Sequence, residues 1–178
     1  YIGEIGLSKW FASNNIILDE RNVQPDDFGL DIDFEYKGLS MELKTSLIPD
    51  IDETLETAFN KRDIKLIKRS PKIEELEGDI HIQVFYKHKT KEKDQWLSKQ
   101  DIDLNSKDID YLYESLLGRA YLRHTFLFCW IDKDSLVKRI NSLPTYYRTW
   151  SHDKRKFWVC PLRTSYPPAD LIKYLEKL

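Results

Sequence analysis

The sequence has little of what several protein classes require. Its 178 residues include only two cysteines, Cys129 and Cys160, and two scattered cysteines cannot build a zinc site. Both lie in apolar stretches, which predicts buried free thiols and a reducing, cytoplasmic compartment, with a cystine as the alternative. The longest strongly apolar run, 125–131, is far too short to span a bilayer. No secretory pattern opens the chain, so we expect no membrane partner.

Internal repeats, low-complexity stretches and long linkers are also missing, which predicts one domain over 1–178. The chain begins at Tyr1 rather than Met, so we expect a trimmed protein or one piece of a longer one. Hydrophobic residues make up 41% and charged residues 33%, a balance typical of a packed core beneath a strongly solvated surface.

The hydrophobic pattern predicts an α/β fold with a mixed central sheet flanked by helices. The first helix is expected over 3–15, where Asn14 and Asn15 end it, and is followed by a short buried strand at 16–18. The run 125–131 is nearly all apolar, which predicts a central strand buried on both faces. Further helices are expected over 105–124, 134–143 and 169–178, strands over 79–86 and 157–162, and mixed helical character over 52–68.

The best-defined element is a hairpin over 30–45. Residues 30–36 alternate, with apolar side chains on one face and Asp31, Asp33 and Glu35 on the other. Lys37-Gly38 supplies a two-residue turn, and 39–45 returns with Glu42 and Lys44 on its polar face. The hairpin therefore predicts an acidic cluster beside a lysine.

The spacing of Glu42 and Lys44 is not informative as a letter pattern. An acid, any residue and then Lys occurs three times, at Glu35/Lys37, Glu42/Lys44 and Asp63/Lys65, and chance alone predicts about three. Only Glu42 and Lys44 lie within an alternating strand, where a period of two directs both to one side.

Asp31, Glu42 and Lys44 together suit hydrolysis of a phosphodiester. Two converging carboxylates repel each other, and Mg²⁺ relieves that repulsion while accepting oxygen ligands. A neighbouring lysine can orient the attacking water and offset charge on a phosphate. The alternative is a solvated sheet face with a cross-strand ion pair.

The runs Gly29-Leu30-Asp31-Ile32-Asp33 and Met41-Glu42-Leu43-Lys44-Thr45-Ser46 resemble the PD-(D/E)xK nuclease superfamily, whose fold is restriction-endonuclease-like. In that superfamily an acid on one strand precedes (Asp/Glu)-x-Lys on the next, after a helix that often carries another acid. Gly3-Glu4-Ile5-Gly6 is similar to that helix, which nominates Glu4 as a further metal or water ligand; a helix-terminal acid is the alternative. The resemblance covers residues 3–46.

The resemblance implies a Mg²⁺-dependent DNA endonuclease, with Mn²⁺ as a substitute, from a restriction or other defence system or a mobile element. Asp31, Glu42 and Glu4 would be the metal ligands and, with Lys44, the catalytic residues. RNA is not excluded as a substrate, and a homodimer or larger defence complex is implied. The alternatives are an inactive nucleic-acid-binding or assembly module of the same fold, or an unrelated α/β domain. Asp33 rivals Asp31 as the first acid because it shares the polar face of the strand. Asp26 and Asp27 are further rivals, because no Pro directly precedes Asp31 whereas Pro25 lies beside them.

Charge is distributed unevenly along the chain. Residues 1–58 hold 4 Lys/Arg against 13 Asp/Glu, whereas 59–178 hold 24 against 17, which suits a cation site facing a polyanion or two ordinary solvated faces. The basic stretches at 61–72, 87–93 and 152–156 are candidates for phosphate contacts. Ser46 and Gln83 are candidates to line the cleft. The four histidines show no metal-ligand spacing and are expected in surface or capping roles.

Overall fold

The fold is described from a computed structural model over residues 2–19, 32–49, 54–88, 97–103, 105–118 and 122–178. The helices within these ranges are α1 (Ile2–Ser13), α2 (Leu55–Lys61), α3 (Ile109–Gly118), α4 (Lys133–Ser142) and α5 (Pro168–Glu176). The strands are β1 (Phe34–Tyr36), β2 (Leu39–Pro49), β3 (Asp63–Ile67), β4 (Ile80–His88), β5 (Leu122–Asp132), β6 (Thr149–His152) and β7 (Arg155–Pro161). None of the helices in these ranges is both long enough and apolar enough to cross a membrane.

The larger sheet has the strand order β1-β2-β4-β5. β1 and β2 form the predicted antiparallel hairpin, β2 and β4 run parallel, and β4 and β5 run antiparallel. At the turn, Lys37 and Gly38 both have positive φ, 48° and 80°, as a tight two-residue connection requires. The prediction of an α/β fold with a mixed sheet flanked by helices is confirmed.

A smaller antiparallel sheet, of order β3-β7-β6, covers one face of the larger sheet. Its side chains Ile64, Leu66 and Trp158 pack in one buried cluster with Phe85 and Ile131 of the larger sheet. β3 and β6 were not predicted from the sequence. β3 lies in the stretch predicted as mixed helical, where only α2 is a helix, and every residue of β6 is exposed, so its sequence lacks an apolar face.

Helices α1 and α5 cover the opposite face of the larger sheet. Leu7 and Phe11 of α1 and Leu171 and Leu175 of α5 are at most 1% exposed and belong to one cluster with the β2 side chain Met41. Full burial of each such side chain contributes roughly 1.5–3 kcal/mol. The central part of the sheet is therefore buried on both faces.

Three local predictions were wrong. Residues 16–18 form no strand, although Ile16 is buried and Asp19 N–H donates to the Glu35 carbonyl. The third helix ends at Gly118, and β5 has begun by Leu122. Among the described strands, β5 lies at the edge of the sheet rather than in its centre, and this edge is covered at Trp130 and Tyr166, which exchange both backbone hydrogen bonds. The predicted burial on both faces is confirmed for residues 128–131.

Candidate functional site

Glu42 and Lys44 lie on the same face of β2, the face that the smaller sheet covers. The Lys44 Nζ atom is 3.0 Å from Glu42 Oε1. The Glu42 side chain is only 5% exposed, whereas the Lys44 side chain is 25% exposed. Glu42 is thus a buried carboxylate whose lysine partner reaches the surface.

His81, on β4, holds the other oxygen of Glu42. It pairs with Glu42 in the parallel register, and its Nδ1 atom lies 2.9 Å from Glu42 Oε2. The ring is fully buried, and its Nε2 atom has no hydrogen-bond partner among the described residues. The expectation of a surface or capping role is wrong for this histidine. The alternation of His81 and Gln83 with the apolar residues of β4 was the available signal, but sequence does not give the register against β2.

Gln83 connects Lys44 to the next residue on the same face of β2. Its Nε2 donates to the Lys44 carbonyl at 3.0 Å and to Ser46 Oγ at 3.3 Å. The side chain is 1% exposed, so the amide is fixed by these bonds. Gln83 and Ser46 therefore belong to the polar face of the site, as the sequence nominated them to.

Asp33 lies just before β1, opposite the part of β2 that carries Glu42. Leu43 N–H donates to Asp33 Oδ2 at 2.6 Å. The pKa of Asp33 is raised from 3.8 to about 6, chiefly by burial and to a smaller degree by the charges of Glu4 and Glu42, while the Leu43 hydrogen bond and Lys44 oppose the rise. Asp33 is thus a carboxyl that titrates near neutrality beside two other acids.

Glu4 reaches this neighbourhood because α1 packs very closely on the sheet. A Cβ at Gly3 would overlap the Thr45 side chain of β2, and one at Gly6 would overlap the Tyr86 hydroxyl of β4. Only glycine permits the helix backbone to lie so near the strands. The charge of Glu4, on this helix, is one of the smaller influences that raise the pKa of Asp33.

Asp31, the predicted first acid, and its rivals Asp26 and Asp27 lie outside the described residues. Of the predicted site residues, Glu42 and Lys44 are in contact, and the charges of Glu4, Glu42 and Lys44 all act on the Asp33 carboxyl. Within the described ranges, no group of three or more His, Cys, Asp or Glu side chains could hold a metal ion.

A small pocket of about 50 Å³ lies beside Glu42, between the two sheets. Arg69, Ser70 and Lys72, from the segment after β3, line it together with Ile32. Lys72 is 3.9 Å from Glu75, an acid of the same pocket, so the lining carries both signs of charge. The basic stretch 61–72 therefore lies next to the site, as a phosphate-contacting segment would.

Comparison of the chain with known protein families, with curated proteins and with solved structures finds no match.

Proposed function

We propose that the protein is a metal-dependent nuclease of the restriction-endonuclease-like class that hydrolyses phosphodiester bonds of DNA. The observation that carries the proposal is the Lys44–Glu42 pair, in which a buried carboxylate and a surface-reaching ammonium lie 3.0 Å apart beside Asp33. The order of elements agrees with that class, since a helix precedes the hairpin and β4 runs parallel to β2. A restriction or other defence system, or a mobile element, is the proposed setting.

The chemistry of the side chains fits Mg²⁺. Its ligands in proteins are oxygens, and it is commonly held by one or two carboxylates together with substrate phosphates. Glu42 and Asp33 would hold it together with the predicted Asp31, and Glu4 would hold a water molecule of the ion rather than the ion itself. The raised pKa of Asp33 supports the assignment, because burial and, to a smaller degree, the neighbouring acids penalise its ionisation, and a divalent cation would offset that penalty. When bound, the ion polarises a phosphoryl oxygen and makes a bound water more acidic.

Lys44 and Glu42 have separate tasks in this proposal. The Lys44 ammonium donates to the attacking water or to a phosphate oxygen, where it offsets negative charge that grows as the phosphorus is attacked. His81 Nδ1 fixes the orientation of the Glu42 carboxylate, since a buried carboxylate held on both oxygens has little freedom to rotate.

A second candidate is a nucleic-acid-binding module of the same fold without catalysis. One observation favours it: both Glu42 oxygens are already engaged, by Lys44 and by His81. A metal ion would have to share the remaining lone pairs of those oxygens. The two candidates differ in one measurable property, cleavage of DNA.

The test is incubation of plasmid DNA with the full chain and Mg²⁺ or Mn²⁺. Wild type is expected to cut, and Lys44→Ala, Glu42→Gln and Asp31→Ala are expected to lose about 100-fold or more in rate. Lys37→Ala is the matched control, because Lys37 also follows an acid by two residues but lies exposed in the hairpin turn. A wild type that cuts neither DNA nor RNA would overturn the nuclease proposal. A Lys44→Ala variant as fast as wild type would overturn the site assignment.

A further inference from the structure

A second cavity on the Lys44 face of the sheet is rich in cations. It has a volume of about 210 Å³ and lies where β2, β4, α2 and β3 meet. We call it the basic cavity, and its lining residues are Ser46, Lys61, Arg62, Asp63, Lys65 and Phe85. Three of these residues are cations and one is an acid, so the cavity has an excess of positive charge.

Aromatic rings lie beside two of these cations. The Lys65 Nζ atom lies 3.9 Å from the centre of the Trp150 ring, and the Arg62 guanidinium lies 5.7 Å from that of Phe85. The ion pairs found within the described ranges do not include Lys61 or Lys65. Burial and the charge of Arg62 lower the pKa of Lys65, so its ammonium is under-compensated by Asp63 alone. An anion in the cavity would offset the repulsion between the positive charges of Arg62 and Lys65.

Ser46 supplies a hydrogen-bond donor for such an anion. Its Oγ accepts from Gln83 Nε2 at 3.3 Å, which leaves the hydroxyl hydrogen to donate elsewhere. Gln83 also donates to the Lys44 carbonyl, so one side-chain amide contacts both a residue of the basic cavity and the candidate catalytic lysine.

The position of the basic cavity relative to Lys44 selects the anion. Lys44 and Ser46 are two residues apart on one face of β2, which places them about 7 Å apart along the strand. Consecutive phosphates of a nucleic-acid strand have a similar separation. We propose that the basic cavity binds the backbone phosphate next to the one presented to Glu42 and Lys44, with Ser46, Lys61, Arg62 and Lys65 as its contacts. The proposal rests on the proposed nuclease function for the identity of the strand.

The test measures binding of a labelled DNA duplex to the full chain in EDTA, where metal-dependent cleavage does not interfere. Lys61→Gln and Lys65→Gln are each expected to weaken binding roughly three- to tenfold. In the double variant, the plot of the logarithm of the binding constant against the logarithm of the salt concentration is expected to be less steep by about one. Lys138→Gln is the control, because it removes the same charge from an exposed position on α4. Lys61 is itself exposed, so its variant is expected to keep the wild-type thermal midpoint.

The outcomes separate this proposal from the nuclease proposal. Weakened binding by the cavity variants but not by Lys138→Gln supports the basic cavity, whether or not plasmid DNA is cut. Equal binding by wild type, the three cavity variants and Lys138→Gln overturns it, even if wild type cuts DNA. If inorganic phosphate binds the cavity as tightly as the duplex does and displaces it, the assignment of the cavity to a nucleic-acid strand is overturned. If wild type cuts, the cavity variants should raise KM more than they lower kcat, since the contact is made before and during the reaction.

Discussion

The His81 ring is fully buried and its Nδ1 atom lies 2.9 Å from Oε2 of Glu42, across neighbouring parallel strands. This pairing decides how the carboxylate faces Lys44. A buried carboxylate costs free energy unless its oxygens are hydrogen-bonded, and His81 and Lys44 supply one partner each. The orientation of the candidate catalytic acid therefore depends on a residue outside the hairpin.

Replacing His81 tests that dependence. His81→Leu leaves Glu42 Oε2 without this partner and is expected to lower the free energy of unfolding by about 1–3 kcal/mol in urea titrations. Metal-dependent cleavage is expected to fall roughly 10- to 100-fold, because an orienting partner is lost. His81→Gln retains a donor and should lose less. The control is His152→Gln at a 62% exposed side chain, and a His81→Leu variant as stable as this control would contradict the prediction.

The raised pKa of Asp33 predicts that the protein loses stability as this carboxyl ionises. The folded protein holds the Asp33 proton more tightly than the unfolded chain does, so its contribution becomes unfavourable as pH rises from 3.8 through about 6. Asp33→Asn is therefore expected to be more stable than wild type at neutral pH, by on the order of 1–2 kcal/mol after solvent screening. This difference in the free energy of unfolding should vanish below pH 3.8, the ordinary pKa of the carboxyl.

Urea unfolding in EDTA, at pH values from about 4 to about 8 that bracket the change in the Asp33 pKa, measures this effect. Glu35→Gln, at an exposed neighbouring acid, is the control and should follow the wild-type profile. Parallel profiles for Asp33→Asn and wild type would show that Asp33 titrates normally.

The close approach of α1 is testable at Gly6. Gly6→Ala places a methyl group on the Tyr86 hydroxyl and is expected to lower the free energy of unfolding by about 1–3 kcal/mol. Tyr86→Phe removes that oxygen, and with it a long hydrogen bond of 3.5 Å to Tyr113. The double variant should recover most of the loss in a thermal or urea melt. If the losses caused by Gly6→Ala and Tyr86→Phe simply add in the double variant, the added methyl group does not clash with the Tyr86 hydroxyl.

The burial of the two cysteines predicts that their thiols are unreactive in the native protein. Cys129 and Cys160 are free and buried, and burial raises the pKa of both thiols. Thiolate is the reactive form, so a water-soluble disulfide reagent should modify neither residue in the native protein and both after unfolding. Rapid modification of native protein at either position would show that the surrounding cluster opens readily.

The hairpin was predictable because its information is local. Alternation gives the face of each side chain, and Lys37-Gly38 gives the turn, so Glu42 and Lys44 could be assigned to one side without any knowledge of the partners. The edge position of β5 was not predictable in this way. Its apolar run is the same whether its neighbour is another strand or the segment at Tyr166 that covers it.

The sequence by itself determined the α/β class and the polar face that carries Glu42 and Lys44, and it favoured free thiols over a cystine, which the structure then confirmed. The tertiary structure alone decided that His81 and Gln83 meet that face, that Asp33 has a pKa near 6, and that Lys61 and Lys65 lie beside Ser46. The physical reason is that side-chain direction follows from local backbone geometry. Strand register, burial and charge crowding depend on residues tens of positions away, as the 39 positions between Glu42 and His81 illustrate.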